Sequence, residues 1–268
     1  MKILYVAELV SKSGVFVFKK ALNELKEKYP YDFLIVCADG ATGGNGLGMS
    51  HAVYIHKLGA NVITLGECCF YKKDLTENID KVSYVLRPEN LNSDAPGIGV
   101  KIFRIIKSGA EEKIAVAVLI GQNGFTRIHA NSPFAALPSI LEKIKKQTPY
   151  IIIDFHAQAS AEKKTFFFAA DGKCSAVIGS HTRVQTSDET IMNGGTAVIS
   201  DAGRTGSQIS VGGCEINSRV KEYLTGIPDW TKEAWDDLEL QGVYLDIDSN
   251  GKASSIERVR VKVEREEN

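Results

Sequence analysis

Along most of the chain, short apolar runs alternate with stretches whose apolar residues recur at helical spacing, and this alternation most narrows the choice of fold. Residues 3–7, 33–37 and 61–65 read as buried strands. Between the first two, Val15, Phe18, Ala21, Leu22 and Leu25 line one face of a helix predicted over 15–28, which stops before Tyr29-Pro30. A short helix over 51–58 precedes the third strand. Later apolar runs at 114–120, 150–153, 176–178 and 197–200 alternate with helical patterns at 137–146 and 218–223. Strands alternating with helices predict an α/β layered fold, a sheet packed between helices.

The C-terminus follows another rule. Residues 241–247 and 255–263 alternate with the period of strands around Ser249-Asn250-Gly251, a hairpin signal, so antiparallel strands are expected to join the later part of the sheet system. With no repeat and no linker long enough to divide the chain, one domain over 1–268 is expected.

Charge narrows the partners. Lys+Arg total 32 and Asp+Glu 33, and a net charge of -1 argues against duplex nucleic acid or an anionic membrane as the main partner. The five cysteines, Cys37, Cys68, Cys69, Cys174 and Cys214, form an odd, scattered set without a CxxC pair. That is a poor disulfide framework and suits a reducing cytosol. The opening apolar stretch ends at Glu8, too early for a signal-peptide core or a membrane span, so a soluble, cytoplasmic protein is expected.

Familiar nucleotide motifs fail. The run Gly43-Gly44-Asn45-Gly46-Leu47-Gly48 lacks GxGxxG spacing and follows the second predicted strand, so it reads as a strand-to-helix turn. No P-loop or nucleophile elbow occurs. His51 and His56, five apart on a helix, face different directions and make no metal pair.

What survives is the placement of polar residues just beyond strands, where open α/β sheets build their sites. Glu8 follows the first strand, Asp39 the second, and Glu67 with Cys68 the third. His156 follows the strand at 151–154, and His181 and Arg183 follow 176–179. Taken singly, each has an ordinary explanation: a helix cap, a satisfied core histidine, a small buried thiol. Their repetition at successive strand ends gathers carboxylates and imidazoles, the ligand types of hydrolytic divalent-metal sites.

At these segments the chain resembles the YmdB-like branch of the calcineurin-type metallophosphoesterases, whose described activity is 2′,3′-cyclic nucleotide phosphodiesterase. The matching stretches run over nearly the whole length. They include Ala60-Asn61-Val62-Ile63-Thr64-x-Gly66, Arg87-Pro88-x-Asn90, Ile153-Asp154-Phe155-His156-Ala157, Glu162-Lys163, Gly179-x-His181-Thr182 and Asp201-x-Gly203-x-Thr205-Gly206. The resemblance implies a four-layer α/β/β/α sandwich of two mixed sheets flanked by helices. It also implies a two-metal site at the strand ends, a phosphodiester or cyclic-nucleotide substrate, and a homo-oligomer.

Residue by residue, the chain departs from that pattern. Glu8 stands where the family has Asp. Ala38-Asp39-Gly40 stands for Gly-Glu-Asn, and Gly66-Glu67-Cys68 for Gly-Asn-His. Gln158 replaces a Glu, and Ser180-His181-Thr182-Arg183 replaces Thr-His-Thr-His; His156 and His181 are kept. One half-site thus maps to Asp39, Glu67, His156 and His181, four oxygen and nitrogen donors that suit at most one divalent ion, manganese, iron or magnesium. The shorter Asp39 works against bridging two ions. The other half-site maps to Glu8, Asp39 and Arg183, and a guanidinium cannot ligate a cation. Arg183 is expected to pair with Glu8 or Asp39 in place of the second ion.

Cys68 takes the position of the family's histidine that contacts the leaving group or phosphate, and a thiol is a poorer proton donor to an alkoxide than imidazolium. A vicinal Cys68-Cys69 disulfide is sterically awkward. The expectation is a metallophosphoesterase-fold protein with one metal half-site lost and hydrolysis weakened or absent. The alternative is a non-catalytic pseudoenzyme that keeps the fold and acts as a structural or interaction protein, with an unknown protein partner.

Overall fold

The computed structural model describes residues 1–107, 109–229 and 232–265. The first part of the chain runs through β1 (Lys2–Val6), β2 (Glu8–Leu9), α1 (Ser11–Lys28), β3 (Phe33–Cys37), α2 (Met49–Lys57), β4 (Val62–Thr64), α3 (Lys73–Thr76) and β5 (Val85–Leu86). Strands β1, β3, β4 and β5 pair in parallel. A second group follows: β6 (Val100–Lys107), β7 (Ala110–Ile120), α4 (Pro133–Lys145), β8 (Tyr150–His156), α5 (Ser160–Ala170), β9 (Ala176–Ser180), β10 (Thr190–Ile191) and β11 (Ala197–Ile199). These strands form a six-stranded sheet in the order β10-β11-β9-β8-β7-β6. The chain closes with β12 (Arg204–Ser207), α6 (Ile216–Thr225), β13 (Leu238–Ile247) and β14 (Ala253–Lys262).

The apolar runs are continuous because both faces of each central strand are buried. Alternate residues point to opposite sides. In the first sheet Ile3, Tyr5, Phe33 and Ile35 face Val116, Val118, Ile152 and Ile178 of the second. Their neighbours Leu4, Val6, Leu34 and Val36 pack outward against Phe18, Leu22 and Leu25 of α1 and Ile55 of α2. On the far side Ala115, Ile151, Ile153 and Phe155 pack against Ile140 and Ile144 of α4 and Phe166 and Phe167 of α5. The layers are therefore helix, sheet, sheet, helix. Each fully buried Leu, Ile, Val or Phe contributes about 1.5–3 kcal/mol relative to exposure.

Element boundaries moved where local chemistry was decisive. Helix α1 begins at Ser11, four residues before the expected start. Its first turn lies so close to β12 that a Cβ at Gly14 would sit 2.5 Å from the Thr205 carbonyl oxygen. Helix α4 starts at Pro133, with Ser132 capping the Ala135 amide at 3.4 Å. The two longest elements outside the expected ranges, β6 and α5, lacked a readable period. Helix α5 buries Glu162 and Lys163 beside Phe166 and Phe167, so charges interrupt its apolar stripe.

The C-terminal hairpin corrects the expectation for its place. Strands β13 and β14 pair with each other and join the first sheet, not the later one: β13 lies antiparallel between β1 and β12. Val243, Leu245 and Ile247 enter the core between the sheets, and Leu238 and Leu240 enter the core under α1. Gly242 admits the close approach, since a Cβ there would meet the Tyr5 carbonyl oxygen at 2.3 Å. Among the described residues, no helix is long and apolar enough to cross a membrane.

Candidate metal centre and its ion-paired neighbour

The fold brings the named strand ends to one place. Glu8 lies in β2, Asp39 just beyond β3 and Glu67 with Cys68 beyond β4; His156 ends β8, and His181 and Arg183 follow β9. His51 and His56 stay apart from the site. One contacts Thr42 Oγ1 at 2.7 Å, and the other stacks on Tyr84.

One side of the site is a cluster of lone-pair donors. His156 Nε2 contacts Glu67 Oε2, His181 Nδ1 lies 3.2 Å from Glu67 Oε1, and the two imidazole nitrogens are 3.2 Å apart. Behind them, Tyr5 Oη and Ser180 Oγ each donate to the buried Asp154 carboxylate at 2.7 Å. With its proton committed to Asp154, Ser180 Oγ accepts from His156 Nδ1 at 2.9 Å. The tautomer of His156 is thereby set, with Nε2 facing the cluster. A Cβ at Gly66 would lie 2.2 Å from this nitrogen, so glycine is what lets the β4 loop pass so near.

Asp39 braces that loop. Its Oδ1 accepts the Gly66 amide at 2.7 Å and its Oδ2 the Cys68 amide at 3.1 Å. Burial, then the Glu67 charge, raises the Asp39 carboxyl to about 8. Burial alone would lower the His156 imidazole, but the Glu67 carboxylate overrides it and raises the ring to about 9. Glu67 shows the converse: burial works to raise it, and the two imidazoles hold it well below the carboxylate range. Lone pairs aimed at one another in a buried site need a shared cation, a proton or a metal ion. Ligand atoms of Glu67, His156 and His181 lie within 4.8 Å of one another, as do those of Asp39, Glu67 and Cys68, so this half fits a divalent ion.

The other side does not fit one. Arg183 donates to Glu8 Oε1 from Nε at 2.9 Å and Nη2 at 2.6 Å. Its remaining donors reach the Gly212 carbonyl at 3.0 Å and the Gly44 carbonyl at 2.9 Å. Burial would lower the guanidinium, and the Glu8 carboxylate more than offsets this, so the charge is permanent. Glycine at 40 makes the room: a Cβ there would lie 2.7 Å from Glu8 Oε1 and 2.8 Å from Arg183 Nη2.

Supports that the sequence did not reveal hold these groups in place. His181 and Arg183 sit on a strained loop, at φ 98° and 59°. A buried Lys163–Asp201 pair at 3.0 Å anchors it, because Asp201 Oδ2 also accepts the Thr182 amide at 2.8 Å and hydroxyl at 2.7 Å. Phe125 packs over both imidazoles, with centroids 6.0 Å from His156 and 4.9 Å from His181. Glu162 ties down that loop by accepting the Gln122 and Asn123 amides. The adjacent charges of Glu162-Lys163, set in an apolar stretch, were the one signal that could have exposed both braces.

Cys68 is buried, and burial together with the Asp39, Glu67 and Glu8 carboxylates pushes its thiol well above the ordinary range. Burial does the same to Cys69, and both are free thiols. Neither has the lowered pKa of a reactive thiol.

Two mixed sheets face to face, flanked by helices, with carboxylates and imidazoles at the strand ends, define a metallophosphoesterase-type sandwich. The same fold, at 9% identity and a TM-score of 0.60, covers 98% of this chain and 54% of a 5′-nucleotidase precursor from Thermus thermophilus. Residues 4–259 match the family described as YmdB-like protein, and the chain belongs to that family. It is 35% identical over 265 residues to the 2′,3′-cyclic-nucleotide 2′-phosphodiesterase of Bacillus subtilis (strain 168), covering 97% of each chain. It also resembles the crystal structure of a novel phosphatase from Mycoplasma pneumoniae, with TM-score 0.89, 28% identity and coverage of 98% of this chain and 93% of that one.

Proposed function

We propose that this protein is a phosphodiester-binding member of its family that holds at most one divalent ion, at Asp39, Glu67, His156 and His181, and hydrolyses its ligand weakly or not at all. The observation that carries this reading is the Arg183 guanidinium seated on Glu8, a fixed positive charge in the half-site where the family resemblance places a metal ligand.

A bound divalent ion would supply Lewis-acid charge to a phosphoryl oxygen. The chain's own groups account for the rest. Ser180 and Asp154 orient His156, and Asp39 fixes the turn that presents Glu67. Arg183 spends its donors on Glu8, Gly44 and Gly212. Cys68 keeps its proton and is a poor acid for a leaving alkoxide, and loss of a general acid commonly costs about 10²–10⁴-fold in rate.

The test is metal analysis of the purified protein together with turnover of 2′,3′-cyclic nucleotide and bis-p-nitrophenyl phosphate in added manganese. One ion or fewer per chain is expected, with slow turnover that rises when Cys68→His and Arg183→His are combined. Two tightly bound ions with rapid turnover in the unaltered protein would refute the reading.

The second reading, a non-catalytic interaction protein, is favoured by the exposed apolar residues at the end of α6. Tyr223 is 83% exposed and Leu224 81%, with Ile227 just beyond. Sedimentation of the wild type against Tyr223→Ser/Leu224→Ser would show whether self-association, expected from the family resemblance, uses this patch.

A further inference from the structure

Four Asn-Gly pairs, Asn45-Gly46, Asn123-Gly124, Asn193-Gly194 and Asn250-Gly251, have no task in the reading above. Such a pair can close on itself, because glycine has no side chain to keep its amide nitrogen from the asparagine carboxamide. A hydrogen bond on that amide holds it off, and three of the pairs are held in this way. Gly46 is buried and donates to the Asp39 carbonyl at 2.5 Å. The Gly194 amide donates to Asp171 Oδ2 at 2.9 Å. Gly251 is buried and donates to the Asp248 carbonyl at 3.0 Å.

Asn123-Gly124 differs. Both residues are exposed, and neither the Gly124 amide nor the Asn123 side chain has a hydrogen-bond partner among the described residues. Glycine is fixed at 124, where φ is 86° and a Cβ would overlap Gln158 Oε1. The open pair is thus built into the loop that lays Phe125 over His156 and His181.

We propose that Asn123-Gly124 is a site of spontaneous deamidation, and that its product releases this loop from the two imidazoles. The Gly124 nitrogen attacks Asn123 Cγ. The N–Cγ bond forms, the Cγ–Nδ2 bond breaks, and ammonia leaves with the Gly124 proton to give a succinimide. Water then opens the ring to aspartate or isoaspartate, with no change of oxidation state. Either product sets a new carboxylate on the residue whose amide, with that of Gln122, the Glu162 carboxylate accepts, and like charges oppose that clasp. Isoaspartate also routes the backbone through the side-chain carbon, adding a methylene between the clasped amides and Phe125. The inference holds with or without a bound ion.

The experiment ages the full chain in warm, mildly alkaline buffer and follows each Asn-Gly peptide by mass. The Asn123 peptide should convert to acid at least about tenfold faster than the other three, whose glycine amides must first give up a hydrogen bond. In urea the four rates should converge. Aged wild type should exchange the Gln122 and Asn123 amides faster than fresh protein, whereas Asn123→Gln, whose longer side chain closes the ring poorly, should keep the fresh pattern. If Asn123→Gln does not fold, the wild-type rates in buffer and urea still decide the matter. Equal rates in the folded chain, or a spread that survives urea, would overturn the proposal. Conversion at Asn123 with unchanged exchange would overturn the release of the loop.

Discussion

Replacing Arg183 by Met tests the ion pair that stands in the second half-site. Glu8 is 2% exposed and depends on two guanidinium hydrogen bonds, at 2.9 and 2.6 Å. Two opposite charges at about 4 Å attract by about 4 kcal/mol at an effective dielectric of about 20. Removing one partner of a buried pair costs about 3–5 kcal/mol, because the other charge stays buried without compensation. The Gly44 and Gly212 carbonyls lose their donors as well, at about 1 kcal/mol each where water does not replace them. Arg183→Met should therefore lose about 4 kcal/mol, read as a lowered urea midpoint at unchanged m-value. Adding Glu8→Leu should recover most of the loss, since exchanging a buried pair for apolar residues is often near neutral. The resulting coupling in the double-mutant cycle should exceed about 2 kcal/mol. A loss under about 1 kcal/mol in the single variant, or additivity within about 0.5 kcal/mol, would refute the idea that this pair is a structural replacement for an ion.

Three further outcomes follow, two from the supports of the site and one from the Lys164–Asp188 ion pair. Lys163→Met removes the cation that faces Asp201 at 3.0 Å and should cost about 3 kcal/mol in urea unfolding, with faster amide exchange at Thr182 and Arg183. Gly66→Ala places a methyl 2.2 Å from His156 Nε2 and should abolish cobalt binding while costing only about 1–3 kcal/mol of stability. Burial would raise the Asp188 carboxyl, but hydrogen bonds from Lys164, Ser200 and Thr186 hold it below the carboxylate range. A depressed folded-state pKa means that its stabilisation is present above the unfolded value of about 3.9 and is lost as pH falls below that. Asp188→Asn should accordingly flatten the acid limb of stability against pH, measured by urea unfolding between about pH 5 and 2.

The layered α/β fold was legible in the sequence because strands buried on both faces must be apolar throughout, as residues 33–37 and 114–120 are. The hairpin at the C-terminus was legible for a local reason too, its turn residues and period. Its partner was not. That β13 pairs with β1 is a contact across more than two hundred residues, set by the edge of β1 that β3 leaves open. Helix α5 stayed hidden because the very residues that do its work, Glu162 and Lys163, are charged and buried, which no periodicity records.

The site divides along the same line. Glu8, Asp39, Glu67, His156, His181 and Arg183 could be picked out one strand end at a time, because in a sheet of this kind the position along a strand decides which end of the molecule a residue occupies. Their pairing could not. Only the folded chain makes Glu8 rather than Asp39 the acceptor for Arg183, commits both Asp39 oxygens to backbone amides, and opens space for the pair at Gly40. Those are questions of ångströms between segments up to 175 residues apart: residue type bars Arg183 from ligating an ion, but only distance and burial decide which carboxylate it pairs with.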